Sequence, residues 1–103
     1  MKFFPDMILI KTPSFIRSAQ SLLKRNPSIS GEIQSTLEKL RENPFHPHLK
    51  THKLKGQLIG SFACRVNYDL RIVFQIKKEK DPNTDVEFDI VLLEAIGSHE
   101  EVY

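Results

Sequence analysis

The feature that most constrains this chain is a change of hydrophobic period near its middle. Before Asn43-Pro44 the apolar residues recur at helical spacing: Phe15, Ile16, Ala19, Leu22 and Leu23 fall on one face, and Ile33, Leu37 and Leu40 repeat every three or four residues. From Leu54 onward the period is two. Phe62, Cys64 and Val66 alternate with Ala63, Arg65 and Asn67, and Leu70, Ile72, Phe74 and Ile76 alternate with Arg71, Val73, Gln75 and Lys77. Between the two halves, Pro44-Phe45-His46-Pro47-His48 is expected to be irregular, because its prolines remove donors and push their predecessors to extended geometry. A helical half followed by a strand half reads as α+β.

Local signals refine the layout. Met7-Ile8-Leu9-Ile10 is too short for a helix and reads as a buried strand. Thr12-Pro13 is a helix start and Asn26-Pro27 a stop; Ser28 or Ser30 is positioned to cap a second helix that ends at Asn43-Pro44. Asn67-Tyr68-Asp69 is a tight connection between strands, and Lys78 to Asp85, with Asp81-Pro82-Asn83, is a longer polar turn. Val86 to Ile96 is a long strand, apolar on both faces in its second half, which predicts cover on both sides there. The expected order is strand, helix, helix, a three-stranded antiparallel meander and a short tail with no room for a further C-terminal helix. The helices pack on one face of the sheet, in a single domain spanning residues 1–103.

Composition excludes several classes. With 40% hydrophobic and 27% charged residues the chain lies outside the disordered regime. Its one cysteine, Cys64, can make neither an internal disulfide nor a cysteine-based zinc site, and a reducing compartment is expected. No apolar run approaches a membrane span, and the start of the chain lacks the uninterrupted apolar core of a signal peptide. Charge is unevenly distributed. Residues 45–80 carry eight Lys/Arg against two Asp/Glu, whereas residues 81–103 carry no Lys/Arg and seven Asp/Glu. The basic segment can be the footprint of a polyanion, or the two segments can pair across a sheet.

The residue types available for chemistry narrow the field further. There is no glycine-rich phosphate loop; Gly56 and Gly60 read as turns, and no nucleotide cofactor is expected. Cys64 falls on the apolar face of its strand and reads as core packing. His46, His48 and His52 lie within seven residues, but no acidic or thiolate ligand accompanies them and no metal is expected. His99 follows Gly97-Ser98 at the rim of the last strand. Together His52, Asp69, His99, Arg65, Arg71, Lys50, Lys53, Lys55 and Tyr103 supply a base, an acid and fixed cations, the groups that metal-free phosphoryl transfer on RNA requires.

Four ordered motifs carry a family resemblance. They are the hairpin ending Leu40-Arg41-Glu42-Asn43-Pro44-Phe45, the run Leu49-Lys50-Thr51-His52-Lys53-Leu54-Lys55-Gly56 with Gly60, the run Cys64-Arg65-Val66-Asn67-Tyr68-Asp69-Leu70-Arg71-Ile72-Val73-Phe74, and the ending Ile96-Gly97-Ser98-His99-Glu100-Glu101-Val102-Tyr103. In these the chain resembles the RelE/ParE superfamily of bacterial toxins, and within it the YafQ-like branch of ribosome-dependent mRNA endonucleases.

The resemblance implies a twisted antiparallel sheet with an N-terminal helical hairpin on one face. It further implies catalytic roles for His52, Asp69, His99 and Tyr103. Arg65 stands where this branch commonly has a second catalytic histidine; with a pKa above 12 it can bind phosphate but is a poor proton acceptor, which leaves proton transfer to His99, His52 and Asp69. Leu70 stands where close relatives often carry tryptophan. Lys50, Lys53, Lys55 and Arg71 are the expected phosphate contacts. The implied partners are a cognate antitoxin protein, mRNA in the ribosomal A site, and operator DNA reached only through the antitoxin complex, all in the bacterial cytoplasm. Two other readings stay open: a ParE-like gyrase inhibitor, and a non-catalytic nucleic-acid-binding adaptor. A purely structural role stays open for single residues as well: Asp69 as the cap of its turn, Arg71 as the partner of Glu87 or Asp89 across the sheet, and Tyr103 as packing against the helices.

Overall fold

The structure, a computed structural model describing residues 7–102, opens with a short strand β1, Ile8–Lys11. Thr12 then caps helix α1, Pro13–Arg25. Its Oγ1 accepts the Phe15 N–H at 3.1 Å and donates to the Leu93 carbonyl at 2.7 Å. One hydroxyl therefore satisfies a helix-end donor and ties the start of α1 to a strand 81 residues away.

Helix α2, Ser30–Glu42, is entered differently from the sequence expectation. Neither Ser28 nor Ser30 caps it; Ile29 holds the cap position with no side-chain hydrogen bond, and Ser28 Oγ donates to Asn26 Oδ1 at 2.8 Å. The reason is a 3-10 turn, Pro27–Ile29, that runs directly into α2, leaving no extended residue from which a serine could cap. The proline-rich stretch likewise contains a 3-10 turn, Pro47–Leu49. Pro47 sits at its first position, where a missing N–H costs nothing, and His46 Nδ1 accepts the His48 N–H at 3.1 Å.

Strands β2 (His52–Lys53), β3 (Phe62–Arg65), β4 (Leu70–Lys80) and β5 (Glu87–Ser98) complete a five-stranded sheet in the order β1-β5-β4-β3-β2. β1 pairs with β5 in parallel, Ile8 opposite Ile90, and every other pairing is antiparallel. The two-residue β2 carries too little pattern to be read from sequence. β4 continues three residues beyond Lys77, and β5 two beyond Ile96. The tail is not irregular: His99–Val102 form a one-turn helix, α3.

Both helices cover one face of the sheet. Phe15, Leu22, Ile33, Leu37 and Leu40 meet Cys64, Ile72, Phe74, Val91, Leu93 and Ile96 in a single buried cluster. Phe62 stacks on Phe74 at 5.7 Å between centroids and takes Phe45 edge-on at 5.6 Å. The second face of β5 departs from expectation. Leu92 and Ala95 are only half-buried, and Ile8 and Ile10 beside them are 48% and 40% exposed, because the helices pack on the first face alone. No described helix is long and apolar enough to cross a membrane.

Candidate functional site

The β3–β4 turn organises one end of this sheet. Asn67 Oδ1 accepts the N–H groups of Asp69 and Leu70 at 2.9 and 2.8 Å, an Asx turn, and the Val66 N–H closes the hairpin on the Leu70 carbonyl at 2.9 Å. The Asn67 Nδ2 donates to Glu32 Oε2 in α2 at 2.6 Å. Arg71 Nη1 donates to the carbonyls of Asn67, Tyr68 and Leu70 at 2.8, 3.2 and 3.0 Å. Asp69 is thus exposed on a turn whose backbone is held from both sides.

His99 arrives at that turn from the other end of the chain. Ser98 is opposite Leu70, and the next N–H, that of His99, donates to the Asp69 carbonyl at 3.2 Å. Two residues 30 positions apart become neighbours at the rim. One row further in, Arg65 lies directly opposite Arg71, and Arg71 opposite Gly97. Cross-strand partners project from the same face, so two like charges start from one row, an arrangement that destabilises a bare sheet, and the Arg71 guanidinium turns onto the carbonyls of the Asn67–Leu70 turn. Nothing among the described residues forms a hydrogen bond or ion pair with the Arg65 side chain. A facing pair of cations is what a bound phosphate would relieve.

The remaining candidates are distributed unevenly. His52 is opposite Ala63, on the face that carries Arg65, two rows along, and its Nδ1 lies 3.1 Å from the Lys50 carbonyl oxygen. Lys53, opposite Phe62, belongs to the other face, away from His52 and Arg65. Lys50, in the left-handed region with φ of 49°, and Lys55, before Gly56 with φ of 70°, are exposed on the flanking loop. Leu70 is buried in the core. Tyr103 lies outside the described residues.

Arg71 does not pair with Glu87 or Asp89. Those positions face Lys80 and Lys78, and Lys78 Nζ lies 3.2 Å from Asp89 Oδ1. Among the described residues the acidic and basic segments therefore pair at the far end of the β4–β5 hairpin, away from the Arg65–Arg71 row. Cys64 is fully buried, and burial pushes its thiol up to about 12, against smaller opposing effects of the Ile72 backbone and the Arg71 charge. It is packing and not a nucleophile.

Sequence reasoning missed two polar features of the sheet. A bulge at Val73/Phe74 inserts Glu94 into β5, and its Oε1 accepts the hydroxyl of buried Ser61 at 2.8 Å. No local pattern announces a bulge. The clamp by Asn67 was more legible, since asparagine entering a short inter-strand turn is an Asx-turn signal.

The model of the YafQ family, bacterial toxins of type II toxin–antitoxin systems, matches residues 7–103. Among solved structures, YafQ from E. coli strain BL21(DE3) superimposes with a TM-score of 0.73 at 13% identity, covering 94% of this chain and 98% of that one. The E. coli DinJ–YafQ complex gives 0.71 at 14%, over 94% and 98%. A copper-bound mutant toxin from Helicobacter pylori gives 0.61 at 27%, over 94% and 99%. No curated protein matches the chain.

A helical hairpin on one face of a mostly antiparallel five-stranded sheet is the fold of the RelE/ParE superfamily of type II toxins. Within that superfamily, the chain belongs to the YafQ family.

Proposed function

We propose that this toxin is a ribosome-dependent mRNA endonuclease that works by metal-independent acid–base chemistry. The observation that carries the reading is the convergence of His99, Asp69 and the facing Arg65–Arg71 pair at one end of the sheet. His99 protonates the leaving 5′-oxygen, Asp69 or His52 takes the 2′-hydroxyl proton, and Arg65 with Lys55 or Lys50 stabilises the charge on the phosphorane. Products are a 2′,3′-cyclic phosphate or 3′-phosphate and a 5′-hydroxyl. The ribosomal A site presents the mRNA and supplies much of the positioning. Tyr103 orients the base.

The protein acts as a single domain in the bacterial cytoplasm, restrained by a cognate antitoxin. E. coli YafQ is found in complex with DinJ; here an acidic antitoxin segment that folds on binding would cover Lys50 to Arg71 or displace the His99–Tyr103 tail. Operator DNA is bound through that complex. The test is primer-extension mapping of mRNA cut sites in a purified translation system, with wild type, His99→Ala and a ribosome-free control. Cuts in phase with codons, dependent on ribosomes and lost in the variant, are expected. A folded wild type that makes no cuts overturns the reading.

A further inference from the structure

Tyr68 is 87% exposed, the most exposed of the large hydrophobic side chains in the described residues. An aromatic ring fully in water at a turn tip contributes nothing to the core, and here it sits on a backbone that is not free to move. Asn67 Oδ1 holds the two N–H groups that follow, Arg71 Nη1 holds the Tyr68 carbonyl itself, and Glu32 ties Asn67 to α2. The ring is next in sequence to Asp69, whose carbonyl anchors His99, and it belongs to the turn that joins Arg65 to Arg71.

We infer that Tyr68 is a stacking platform for a nucleobase of the single-stranded RNA whose phosphate lies between Arg65 and Arg71, which rests on the endonuclease reading above. Three properties favour RNA as the occupant. A base offers a π-face of any sequence to an exposed ring, stacking asks for a rigidly placed aromatic beside cations, and consecutive nucleotides put a base next to each phosphate. An apolar protein anchor would instead call for a pocket around the ring, and no described side chain packs against it. Tyr68 is a substrate-contact residue, with no part in proton transfer.

The ring is solvated, so its substitution leaves the fold intact. Ribosome-dependent cleavage is measured over a range of programmed-ribosome concentrations for wild type, Tyr68→Ala, Tyr68→Leu, Tyr68→Phe and Tyr68→Trp. Loss of the ring is expected to raise KM about tenfold, with kcat changed much less, while phenylalanine and tryptophan retain wild-type KM. Equal KM for wild type and Tyr68→Ala overturns the proposal and assigns the ring to a protein partner, leaving the endonuclease reading intact. Rescue by leucine as complete as by phenylalanine also overturns it, since that indicates apolar contact without stacking. A wild type that does not cleave removes the endonuclease reading and the proposal with it.

Discussion

Asn67 Nδ2 donates to Glu32 Oε2 at 2.6 Å, joining the first turn of α2 to the hairpin turn that carries Asp69. Three of the carboxamide's four hydrogen-bonding sites are used, since Oδ1 also accepts two backbone N–H groups. Asn67→Ala removes these together. The expected cost is about 1–2 kcal/mol in urea unfolding, reduced from the gross sum because the site is partly solvated. Cleavage should fall further than stability explains, since Asp69 and the carbonyl that holds His99 lose their template. A variant with wild-type cleavage at a temperature where it is fully folded argues against that coupling.

Arg65 and Arg71 face one another yet should respond oppositely to removal. Arg65→Gln relieves a like-charge pair and is expected to leave stability unchanged or raise it by a few tenths of a kcal/mol, with cleavage strongly reduced. Arg71→Gln breaks three hydrogen bonds to turn carbonyls and should destabilise by about 1–2 kcal/mol. Thermal melts at low and high salt check both: as salt screens the repulsion that either substitution removes, the Arg65→Gln gain should shrink and the Arg71→Gln loss should grow slightly.

Thr12 serves α1 and β5 with one hydroxyl. Thr12→Ala is expected to lower stability by about 1–2 kcal/mol, or roughly 5 °C in Tm, and Thr12→Ser to recover most of it. Serine no better than alanine would mean that the threonine methyl group, and not the hydroxyl, is what matters.

Cys64 makes a pH signature available. Its thiol is held at about 12 in the fold against an ordinary 9.0, so the native state keeps a proton that the unfolded chain releases. The associated stability is fully present below pH 9 and is lost as pH rises from 9 toward 12, by about 1.4 kcal/mol per unit at most. The difference in unfolding free energy between wild type and Cys64→Ala should therefore shrink as pH is raised from 8 to 10.5. A pH-independent difference would show that the native thiol ionises normally. Thiol reagents at pH 8 should modify Cys64 only at the rate of unfolding.

Much of the layout was legible because the two hydrophobic periods meet at Asn43-Pro44 with little overlap. Phe15, Leu22, Ile33, Leu37 and Leu40 in the helices, and Cys64, Ile72 and Phe74 in the strands, were all placed on their buried faces by spacing alone. What sequence could not convey was register. That Arg65 faces Arg71, that His52 and not Lys53 shares the face of Arg65, and that Asp69 receives the His99 N–H all depend on which rows of the sheet align, and a one-residue slip would undo each of them. The parallel seating of β1 was equally hidden, since a four-residue apolar run carries no sign of its partner.

That seating makes assembly of the sheet a whole-chain event. Ile8 to Lys11 find their strand partners at Ile90 to Leu93, and Thr12 finds its acceptor at Leu93. The first strand to be synthesised must wait for the last, and closing so long a loop is among the slower steps a small domain can face. A chain interrupted before residue 90 loses β5 and, with it, the seat of β1, so the sheet is left with β4, β3 and β2 and the length of the polypeptide itself becomes a condition for finishing it.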